Sequence, residues 1–469
     1  MFKRVLIANR GEIACRIQRT CHRLGIETIA VYSDADASAP HVKAATRAVR
    51  IGPAPVKESY LNVDAILAAA RDTGADAIHP GYGLLSEKQA FAAAVRGAGI
   101  VFVGPPDACL DAFGDKIKAR DVARRAGAQP PPGTDGPIAV DDEATLAAEA
   151  NRIGYPLLVK AAGGGGGIGM QIVDDASKLA RAVKTCSDRG ASAFNDARVY
   201  MERYVASPKH IEVQVLCDAH GGAVALGERE CSLQRRHQKI IEESPSPAPF
   251  FAGEAGEQKR AWLLDVALRV VTSVGYQGAG TVELVASQNG EIYFLEVNAR
   301  LQVEHCVTEM VTGIDLVEQQ LRVASGERLS ADVLSPTRKG HSVEARVYAE
   351  NPLKMFAPQP GKLAKLRWPA AADDLRIETG VEEGGEVTPY YDPMIAKVVA
   401  WGADRRAALA RLDRALGETE LELVGPAGPA ATNIDFLRKL LVADDVVAGT
   451  YDTAFSERLA KQLKSAASG

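Results

Sequence analysis

Short apolar runs alternate with longer amphipathic stretches over roughly the first hundred residues. The apolar runs predict buried strands at RVLIA (4–8), ETIAVYS (27–33), ADAIHPGYG (75–83) and GIVFVG (99–104). Apolar residues spaced three and four apart predict helices in GEIACRIQRTCHRLG (11–25) and VDAILAAARDTG (63–74). This alternation predicts an α/β region over 1–104, with a parallel, Rossmann-like sheet covered by helices on both faces. NRGE follows the first strand where a dinucleotide fingerprint needs GxGxxG, so a dinucleotide site is not indicated.

The rest of the chain divides into three parts. A helical connector leads to the stretch QPPPGTDGP, which is the clearest internal boundary. We therefore expect a helical linker over 105–132, a small lid-like subdomain over 133–204 and a larger α+β region over 205–469. The larger region is strand-rich to about residue 400 and ends with amphipathic helices.

Five consecutive glycines lie within the stretch KAAGGGGGIGM (160–170). The flanking runs PLLVK and MQIV are apolar and β-branched, so they predict two strands joined by a loop. Glycine inside a strand or helix costs roughly 0.5–1 kcal/mol relative to alanine, so a run of five calls for a functional reason. Backbone N–H groups of such a loop can approach phosphate oxygens closely, and the stretch predicts a mobile lid over a phosphate-bearing ligand.

A β-hairpin is predicted over 279–304, where two β-rich runs flank Asn289 and Gly290. If those two residues form the turn, Glu283 lies directly opposite Glu296. Opposed like charges on one face of a sheet are destabilising, so a compensating charge is expected. A hard divalent cation with oxygen ligands fits that requirement.

Polar residues alternate with apolar ones beyond this pair. In an extended conformation the polar side chains project from one face of the strand, and they are Glu296, Asn298, Arg300, Gln302 and Glu304. The alternative is the solvated face of an ordinary antiparallel sheet. The opposed glutamates, followed by an anion-binding arginine and a further carboxylate, favour a binding site instead.

Two carboxylates suited to magnesium, a glycine lid and nearby lysines are typical of a phosphoryl-transfer site. Lys116 and Lys160 are the candidate lysines, although either alone could be an ordinary surface residue. The chain contains no GxxxxGK[ST], so a P-loop enzyme is excluded.

Net charge, cysteine spacing and the lack of long apolar runs indicate which partners and which cellular surroundings to expect. The 469 residues carry a formal net charge of -5, which gives no reason to expect a nucleic-acid partner. The seven cysteines never occur in CxxC spacing, as expected for reduced thiols. The sequence contains neither a signal-peptide pattern nor a run of about 20 apolar residues, so we expect a cytoplasmic protein with no membrane segment.

Five motifs, taken together, closely resemble the biotin carboxylase family, the ATP-grasp component of acetyl-CoA and other acyl-CoA carboxylases. The resemblance covers nearly the whole chain, and the motifs occur in order between residues 79 and 305: HPGYGLLSE (79–87), GDKIKAR (114–120), KAAGGGGGIGM (160–170), ERECSLQRRHQK (228–239) and EVNARLQVEH (296–305). The resemblance implies an N-terminal parallel-sheet domain, an ATP-grasp lid and core, and a C-terminal mixed α/β domain.

The resemblance also implies roles for individual residues. Magnesium or manganese ligands are expected at Glu283, Glu296 and Asn298. Nucleotide contacts are expected at Lys116, Lys160, Gly165, Gly166, Met170, Glu202, Val205, His210, Gln234, His237, Glu283 and Glu296. Bicarbonate and biotin contacts are expected at Lys239, Arg300, Gln302, Val303 and Arg346, and the general base at Glu304. Lys239, Arg300 and Arg346 are also implied to take part in catalysis.

The implied reaction uses ATP and bicarbonate to make carboxyphosphate, which then carboxylates biotin. Biotin would be borne by a separate carrier protein, or these residues would be a fragment of a longer chain. Carrier and carboxyltransferase subunits are the implied partners, with a homodimer as the implied assembly.

Two other functions remain open at this point: an ATP-grasp ligase acting on an amine, and an ATP-binding regulatory subunit without activity. The second is favoured only by Ile168, which stands where the family usually has a cation.

Overall fold

The amino-terminal strands pair in parallel in the computed structural model, which describes residues 1–163 and 169–468. Val5, Leu6 and Ile7 of the first strand are fully buried, as expected for a strand covered on both faces. The elements are β1 (Arg4–Ile7), α1 (Gly11–Arg23), β2 (Glu27–Ser33), α2 (Pro40–Ala44), β3 (Arg47–Gly52), α3 (Val63–Thr73), β4 (Ala77–His79), α4 (Gln89–Gly97) and β5 (Val101–Phe102). Their order across the sheet is β3-β2-β1-β4-β5, which confirms the predicted parallel sheet.

Two helices and a small three-stranded sheet follow. Asp115 caps one of these helices by accepting hydrogen bonds from the amides of Ile117 and Lys118, at 2.8 and 3.1 Å. The elements are α5 (Asp107–Gly114), α6 (Lys116–Arg125), α7 (Glu143–Ile153), β6 (Leu157–Ala161), β7 (Met170–Val173), α8 (Leu179–Phe194) and β8 (Val199–Arg203). The order β7-β6-β8 is antiparallel, so the glycine-rich stretch connects two paired strands, as the flanking runs predict.

The remaining part of the chain is rich in strands, and some of them form the largest sheet of the described residues. Its strands are β9 (Lys209–Cys217), β10 (Ala223–Arg235), β11 (Gln238–Ser244), β12 (Gly278–Ala286), β13 (Ile292–Asn298), β14 (His341–Tyr348), β15 (Glu350–Asn351), β16 (Ala357–Pro358), β17 (Gly361–Arg367), β18 (Leu375–Thr379), β19 (Glu386–Val387), β20 (Met394–Gly402), β21 (Glu420–Gly425) and β22 (Gly428–Ala430). Eight of them pair in the order β13-β12-β9-β10-β11-β14-β20-β18. Because β11 pairs with β14, strands on either side of a long connection belong to one continuous sheet.

Helices lie between these strands and after them along the chain. They are α9 (Gly253–Thr272), α10 (His305–Thr312), α11 (Leu316–Ala324), α12 (Ala331–Leu334), α13 (Arg405–Glu418), α14 (Ile434–Leu441), α15 (Asp444–Ala448) and α16 (Phe455–Ser468). The sequence pattern did not indicate α9, which lies inside the region predicted to be strand-rich. Its buried residues, such as Leu263, Val266 and Val270, recur at helical spacing and belong to the same core as Val213 of β9. None of the helices in the described ranges is both long enough and apolar enough to cross a bilayer.

A buried carboxylate, Glu243, ties β11 to the carboxyl-terminal part of the chain. His341 Nε2 and Arg405 Nε each lie 2.6 Å from Glu243 Oε2, and the Tyr451 hydroxyl donates to Glu243 Oε1 at 2.6 Å. Burial alone would raise the pKa of Glu243, but hydrogen bonds from His341 and Arg405 lower it to about 2. The ionised carboxylate therefore stabilises the fold above the ordinary glutamate pKa, and this stabilisation is lost as the pH falls toward 2.

We expect Glu243→Gln to lower the free energy of unfolding at pH 7 by about 3 kcal/mol, because Arg405 loses its buried partner. The difference from the unsubstituted protein should shrink as the pH falls from about 4.5 to about 2. Urea denaturation across this pH range measures both effects, with the exposed Glu254→Gln as control. A difference that stays constant with pH would contradict the assignment.

Candidate active site

A cleft of about 1300 Å³ lies between the three-stranded sheet, the eight-stranded sheet and the amino-terminal region. Most of the predicted site residues line it: Lys116, Lys160, Met170, His210, Gln234, His237, Lys239, Glu283, Glu296, Asn298, Arg300, Gln302, Val303, Glu304 and Arg346. Glu202 and Val205 do not line the cleft. Gly165 and Gly166, together with Ile168, lie outside the described residues.

Three carboxylates form a row across neighbouring strands at this cleft. Glu283 of β12 pairs directly with Glu296 of β13 and, on its other side, with Glu212 of β9. The predicted opposition of Glu283 and Glu296 is therefore confirmed. The row continues into β10, where Arg229 is the partner of Glu212 and forms an ion pair with it. Like charges placed side by side are destabilising, so the neighbouring cations are required for stability.

The turn that produces this pairing differs from the prediction. Residues 287–291 connect β12 to β13, and the amide of Ser287 donates to the carbonyl of Glu291 at 2.8 Å. A two-residue turn at Asn289 and Gly290 is therefore wrong. Leu284 pairs with Phe294 while Glu283 pairs with Glu296, so Leu295 is an extra residue that forms a β-bulge. The bulge shifts the register by one residue and brings the two glutamates opposite each other.

The predicted extended run from Glu296 to Glu304 is wrong beyond Asn298, where β13 ends. The backbone then bonds to side chains instead of a neighbouring strand. The amide of Ala299 donates to Glu87 Oε1 at 2.9 Å, and Lys397 Nζ donates to the carbonyl of Val303 at 2.6 Å. The polar residues of this run nevertheless all line the cleft.

Lys239 is the central cation of the site. Its Nζ lies 2.5 Å from Glu212 Oε2, 3.0 Å from Glu283 Oε1 and 2.6 Å from Glu304 Oε1. Burial alone would lower the pKa of Lys239, but its acidic neighbours, Cys231 and the three carboxylates, raise it well above the usual range. The ammonium group is therefore charged at neutral pH, and it links the carboxylate row to Glu304.

Glu304 is completely buried and lies between two cations. Arg346 donates from NH2 to Glu304 Oε2 at 2.9 Å, and Lys239 donates to the other oxygen. Burial alone would raise the pKa of Glu304, but Lys239 and Arg346 hold it well below its usual range. Glu304 is consequently ionised at neutral pH. Arg346 also forms an ion pair with Glu242 on the neighbouring strand.

Arg300 is held by three side chains that fix its guanidinium group. Its Nε donates to Glu87 Oε2 at 2.8 Å, its NH1 to Gln302 Oε1 at 2.9 Å and its NH2 to Asn298 Oδ1 at 2.9 Å. Gln302 in turn donates to Glu283 Oε1 at 2.9 Å. These bonds orient a fixed positive charge next to the carboxylate row, as an anion-binding arginine requires.

The lysines predicted to contact nucleotide both lie at the cleft. Lys116 is the first residue of α6, and its Nζ lies 2.8 Å from Glu296 Oε2. Lys160 of β6 donates to Glu202 Oε1 at 2.5 Å, while Arg120 donates to Glu202 Oε2 at 2.9 Å. Glu202 is thus bound on both oxygens and orients Lys160.

His210 and Gln234 form a hydrogen-bonded pair on β9 and β10. Gln234 Nε2 donates to His210 Nδ1 at 3.0 Å, so the imidazole proton resides on Nε2, which lies 3.0 Å from Glu283 Oε2. His237 lies in the exposed turn between β10 and β11, with a φ of 64°.

Several residues of this site were not singled out from the sequence, among them Glu87, Glu212 and Arg229. Glu87 ends the motif HPGYGLLSE, but nothing in the local pattern indicates that it contacts Arg300. Glu212 could have been found, because it follows His210 by two positions in a strand and shares its face. Arg229 is completely buried and carries a charge, which indicates a paired partner.

The carboxylate row suits a divalent cation. Glu283, Glu296 and Asn298 offer carboxylate and amide oxygens, the ligands that magnesium and manganese prefer. Glu283 already accepts bonds from Lys239 and Gln302, Glu296 is paired with Lys116, and Asn298 Oδ1 accepts from Arg300, so a metal would take the place of these donors. The donor set therefore fits the predicted metal.

Comparison with known proteins covers nearly the whole chain. Residues 1–110 match the family described as biotin carboxylase, N-terminal domain, and residues 344–458 match the biotin carboxylase C-terminal domain. Residues 115–332 match the carbamoyl-phosphate synthase L chain, ATP binding domain. These matches agree with the order of the regions predicted from the sequence motifs.

Individual relatives are similar over the same length. The biotin carboxylase of Pseudomonas aeruginosa is 46% identical, and the alignment covers 95% of this chain and 100% of that protein. Methylcrotonoyl-CoA carboxylase subunit alpha of Dictyostelium discoideum is also 46% identical over 96% of this chain, which spans only 63% of that longer subunit.

A solved structure gives the same result for the fold. The biotin carboxylase domain dimer of Hydrogenobacter thermophilus 2-oxoglutarate carboxylase, in complex with MgADP and bicarbonate, superimposes with a TM-score of 0.91. It is 39% identical to this chain and the alignment covers 98% of both. With matching families at both ends and a full-length relative at 46% identity, this chain belongs to the biotin carboxylase family.

Proposed function

We propose that this chain carboxylates biotin, using bicarbonate and ATP, in the first half-reaction of an acyl-CoA carboxylase. The observation that carries the proposal is the placement of Glu304. It is buried, ionised and held between Lys239 and Arg346, in a cleft that also contains two lysines suited to phosphate groups. A general base must be deprotonated and within reach of the proton that it removes, and the buried, ionised Glu304 lies beside the cations proposed to bind bicarbonate.

Bicarbonate would bind against Lys239 and Arg300, with Gln302 and the backbone of Val303 completing its contacts. Glu304 would remove the bicarbonate proton and thereby make a stronger nucleophile. The two cations would stabilise the resulting charge beside the γ-phosphate. Transfer of the γ-phosphoryl group then forms carboxyphosphate and ADP.

Lys116 and Lys160 would bind the phosphates of ATP, as their charge and their place in the cleft support. Met170, Glu202, Val205, His210, Gln234 and His237 are the further proposed nucleotide residues. Glu283, Glu296 and Asn298 would hold magnesium or manganese, which would neutralise phosphate charge during the transfer.

Arg346 would act at the biotin end of the site. Carboxyphosphate would break down to carbon dioxide and phosphate, and the phosphate would take the proton from biotin N1′. Arg346 would stabilise the negative charge that develops on the ureido oxygen, because its guanidinium already faces Glu304 in the cleft. The deprotonated nitrogen then attacks carbon dioxide to give carboxybiotin.

The proposal extends to partners and surroundings. Biotin would be presented by a carrier protein, a carboxyltransferase would use the product, and the chain would form a homodimer. The seven cysteines are all free, which supports a reducing compartment such as the cytoplasm.

The purified protein is expected to hydrolyse ATP only when bicarbonate is present, and free biotin should stimulate this turnover. Phosphate release measured with and without each substrate tests the proposal. Turnover with an amine in place of biotin would indicate a different ATP-grasp ligase. Absence of turnover with magnesium, bicarbonate and biotinylated carrier would indicate a binding protein.

A further inference from the structure

Lys239 bonds to Glu304 directly, and another lysine, Lys397, bonds to the loop that carries Glu304. Lys397 has no part in the chemistry proposed above. It lies on β20, and its side chain is completely buried. Its Nζ donates to the carbonyl of Val303 at 2.6 Å and to Cys306 Sγ at 3.4 Å, and it lies 3.3 Å from Glu12 Oε1. Its three N–H donors therefore have three acceptors.

The bond to Val303 fixes the backbone of the proposed base. The carbonyl of Val303 and the amide of Glu304 belong to one planar peptide group, so a bond at the carbonyl also orients Glu304. The preceding carbonyl is held as well, because His305 Nδ1 lies 2.7 Å from the carbonyl of Gln302 and donates its proton there. Two successive carbonyls of this loop are thus bound by buried side chains.

Lys397 keeps its charge inside the protein. Burial alone would lower the pKa of Lys397, but Cys306, Glu12 and Glu344 raise it well above the usual range. The adjacent strands place Arg346 and Glu378 directly opposite Lys397. A buried ammonium group is expensive unless it is paired, so the carboxylates of Glu12 and Glu378 are part of the arrangement, and they also offset the like charge of Arg346.

Glu12 is itself anchored from a different part of the fold. It lies in the first turn of α1 and accepts a hydrogen bond from the hydroxyl of Tyr82. The backbone at Glu12 packs directly on the end of β18, where a Cβ added to Gly380 would lie 2.3 Å from the Glu12 amide nitrogen. Only glycine fits at Gly380, so the position of Glu12 against β18 is fixed by backbone contact.

The helix that follows Glu304, α10, is also bonded to α1 in the amino-terminal region and to β18 in the carboxyl-terminal part of the chain. Glu309 of α10 accepts a hydrogen bond from Arg16 of α1 at 2.8 Å and one from Arg376 of β18 at 2.6 Å. Glu309 is therefore bonded directly to both regions, while Val303 is bonded to Lys397 of β20, which in turn pairs with the amino-terminal Glu12.

We propose that Lys397, paired with Glu12, is a positioning residue that holds the Val303–Glu304 peptide so that the Glu304 carboxylate faces bicarbonate. The inference rests on the proposed function, because it assumes that Glu304 is the base. Lys397 itself touches no substrate in this scheme. Its contribution is the orientation of Glu304, for which a displacement of about 1 Å can cost about 100-fold in rate.

The test compares Lys397→Met with Lys259→Met. Lys259 also donates to a carbonyl, that of Gly290 at 2.8 Å, but at the opposite end of the β12–β13 hairpin. We expect Lys397→Met to lower the kcat of bicarbonate-dependent ATP hydrolysis by about 30-fold or more, with the KM for ATP within about threefold. The control variant should leave both constants near those of the unsubstituted protein.

Hydrogen exchange tests the same contact without relying on activity. The amides of residues 303–308 should exchange at least about tenfold faster in Lys397→Met, whereas those of β12 should not change. If the unsubstituted protein shows no bicarbonate-dependent turnover, the proposed function fails while this measurement still decides on the positioning contact. Unchanged exchange together with unchanged kcat would overturn the proposal.

If Lys397→Met does not fold, Glu12→Gln provides a second test of the proposal. It removes the ion pair but leaves the bond from Lys397 to Val303, so we expect a smaller loss of kcat, about three- to tenfold, again with little change in the KM for ATP. A parallel fall in ATP affinity, or no fall in kcat, would contradict a positioning role.

Discussion

Replacing Glu304 with glutamine is expected to reduce bicarbonate-dependent ATP turnover by about 1000-fold, within the range found for general bases. The amide keeps the size of the side chain but cannot accept the bicarbonate proton. Because Glu304 is bonded to Lys239 and Arg346, whereas the lysines proposed to bind ATP pair with Glu296 and Glu202, ATP affinity should stay within about threefold. Phosphate release and nucleotide titration measure the two quantities separately.

The matched control is Glu291→Gln, an exposed carboxylate in the turn of the β12–β13 hairpin. It should not change either quantity. If Glu304→Gln instead loses nucleotide affinity in proportion to its rate, Glu304 is part of the ATP site and the assignment of the base is wrong.

Replacing Glu296 with glutamine is expected to change the metal requirement. Magnesium sites in phosphoryl-transfer enzymes usually use one or two carboxylates, so losing one of them should matter greatly. We expect the magnesium concentration for half-maximal activity to rise at least about tenfold and kcat to fall about 100-fold. Titration of activity with magnesium and with manganese measures the shift.

Lys116→Met provides the comparison, because Lys116 contacts Glu296 but has no oxygen to offer a metal. That variant should raise the KM for ATP while leaving the magnesium requirement unchanged. Equal shifts in metal requirement for both variants would mean that Glu296 acts through Lys116 and not as a ligand.

The sequence predicts those parts of the fold and site that depend on local patterns. The parallel amino-terminal sheet follows from the alternation of apolar runs and amphipathic helices, and its strands pair as expected. The opposition of Glu283 and Glu296 was also predicted correctly, although the turn has a different length. The longer connection alone would shift the pairing of the two strands by one residue. The bulge at Leu295 shifts it back by one, so the two glutamates still lie opposite each other.

Other features could not be predicted because they depend on contacts between distant parts of the chain. Alternation of polar residues suggests an extended strand through Glu304, yet β13 ends at Asn298. The amide of the next residue, Ala299, donates a hydrogen bond to the carboxylate of Glu87, which lies 212 residues away in the sequence. Lys397 likewise resembles any strand lysine until the tertiary structure brings it to Val303.

The pairing of β11 with β14 has a consequence for how the protein is made. About 100 residues separate Ile241 from its partner Ala345, so β11 leaves the ribosome well before the strand that covers it. At ordinary rates of translation, roughly 5–20 residues per second, its edge stays open for about 5–20 s. An open edge invites pairing with other chains, and charged residues on it discourage this. Glu242 and Glu243, which end up buried, would thus protect the nascent chain from aggregation until Ala345 is synthesised.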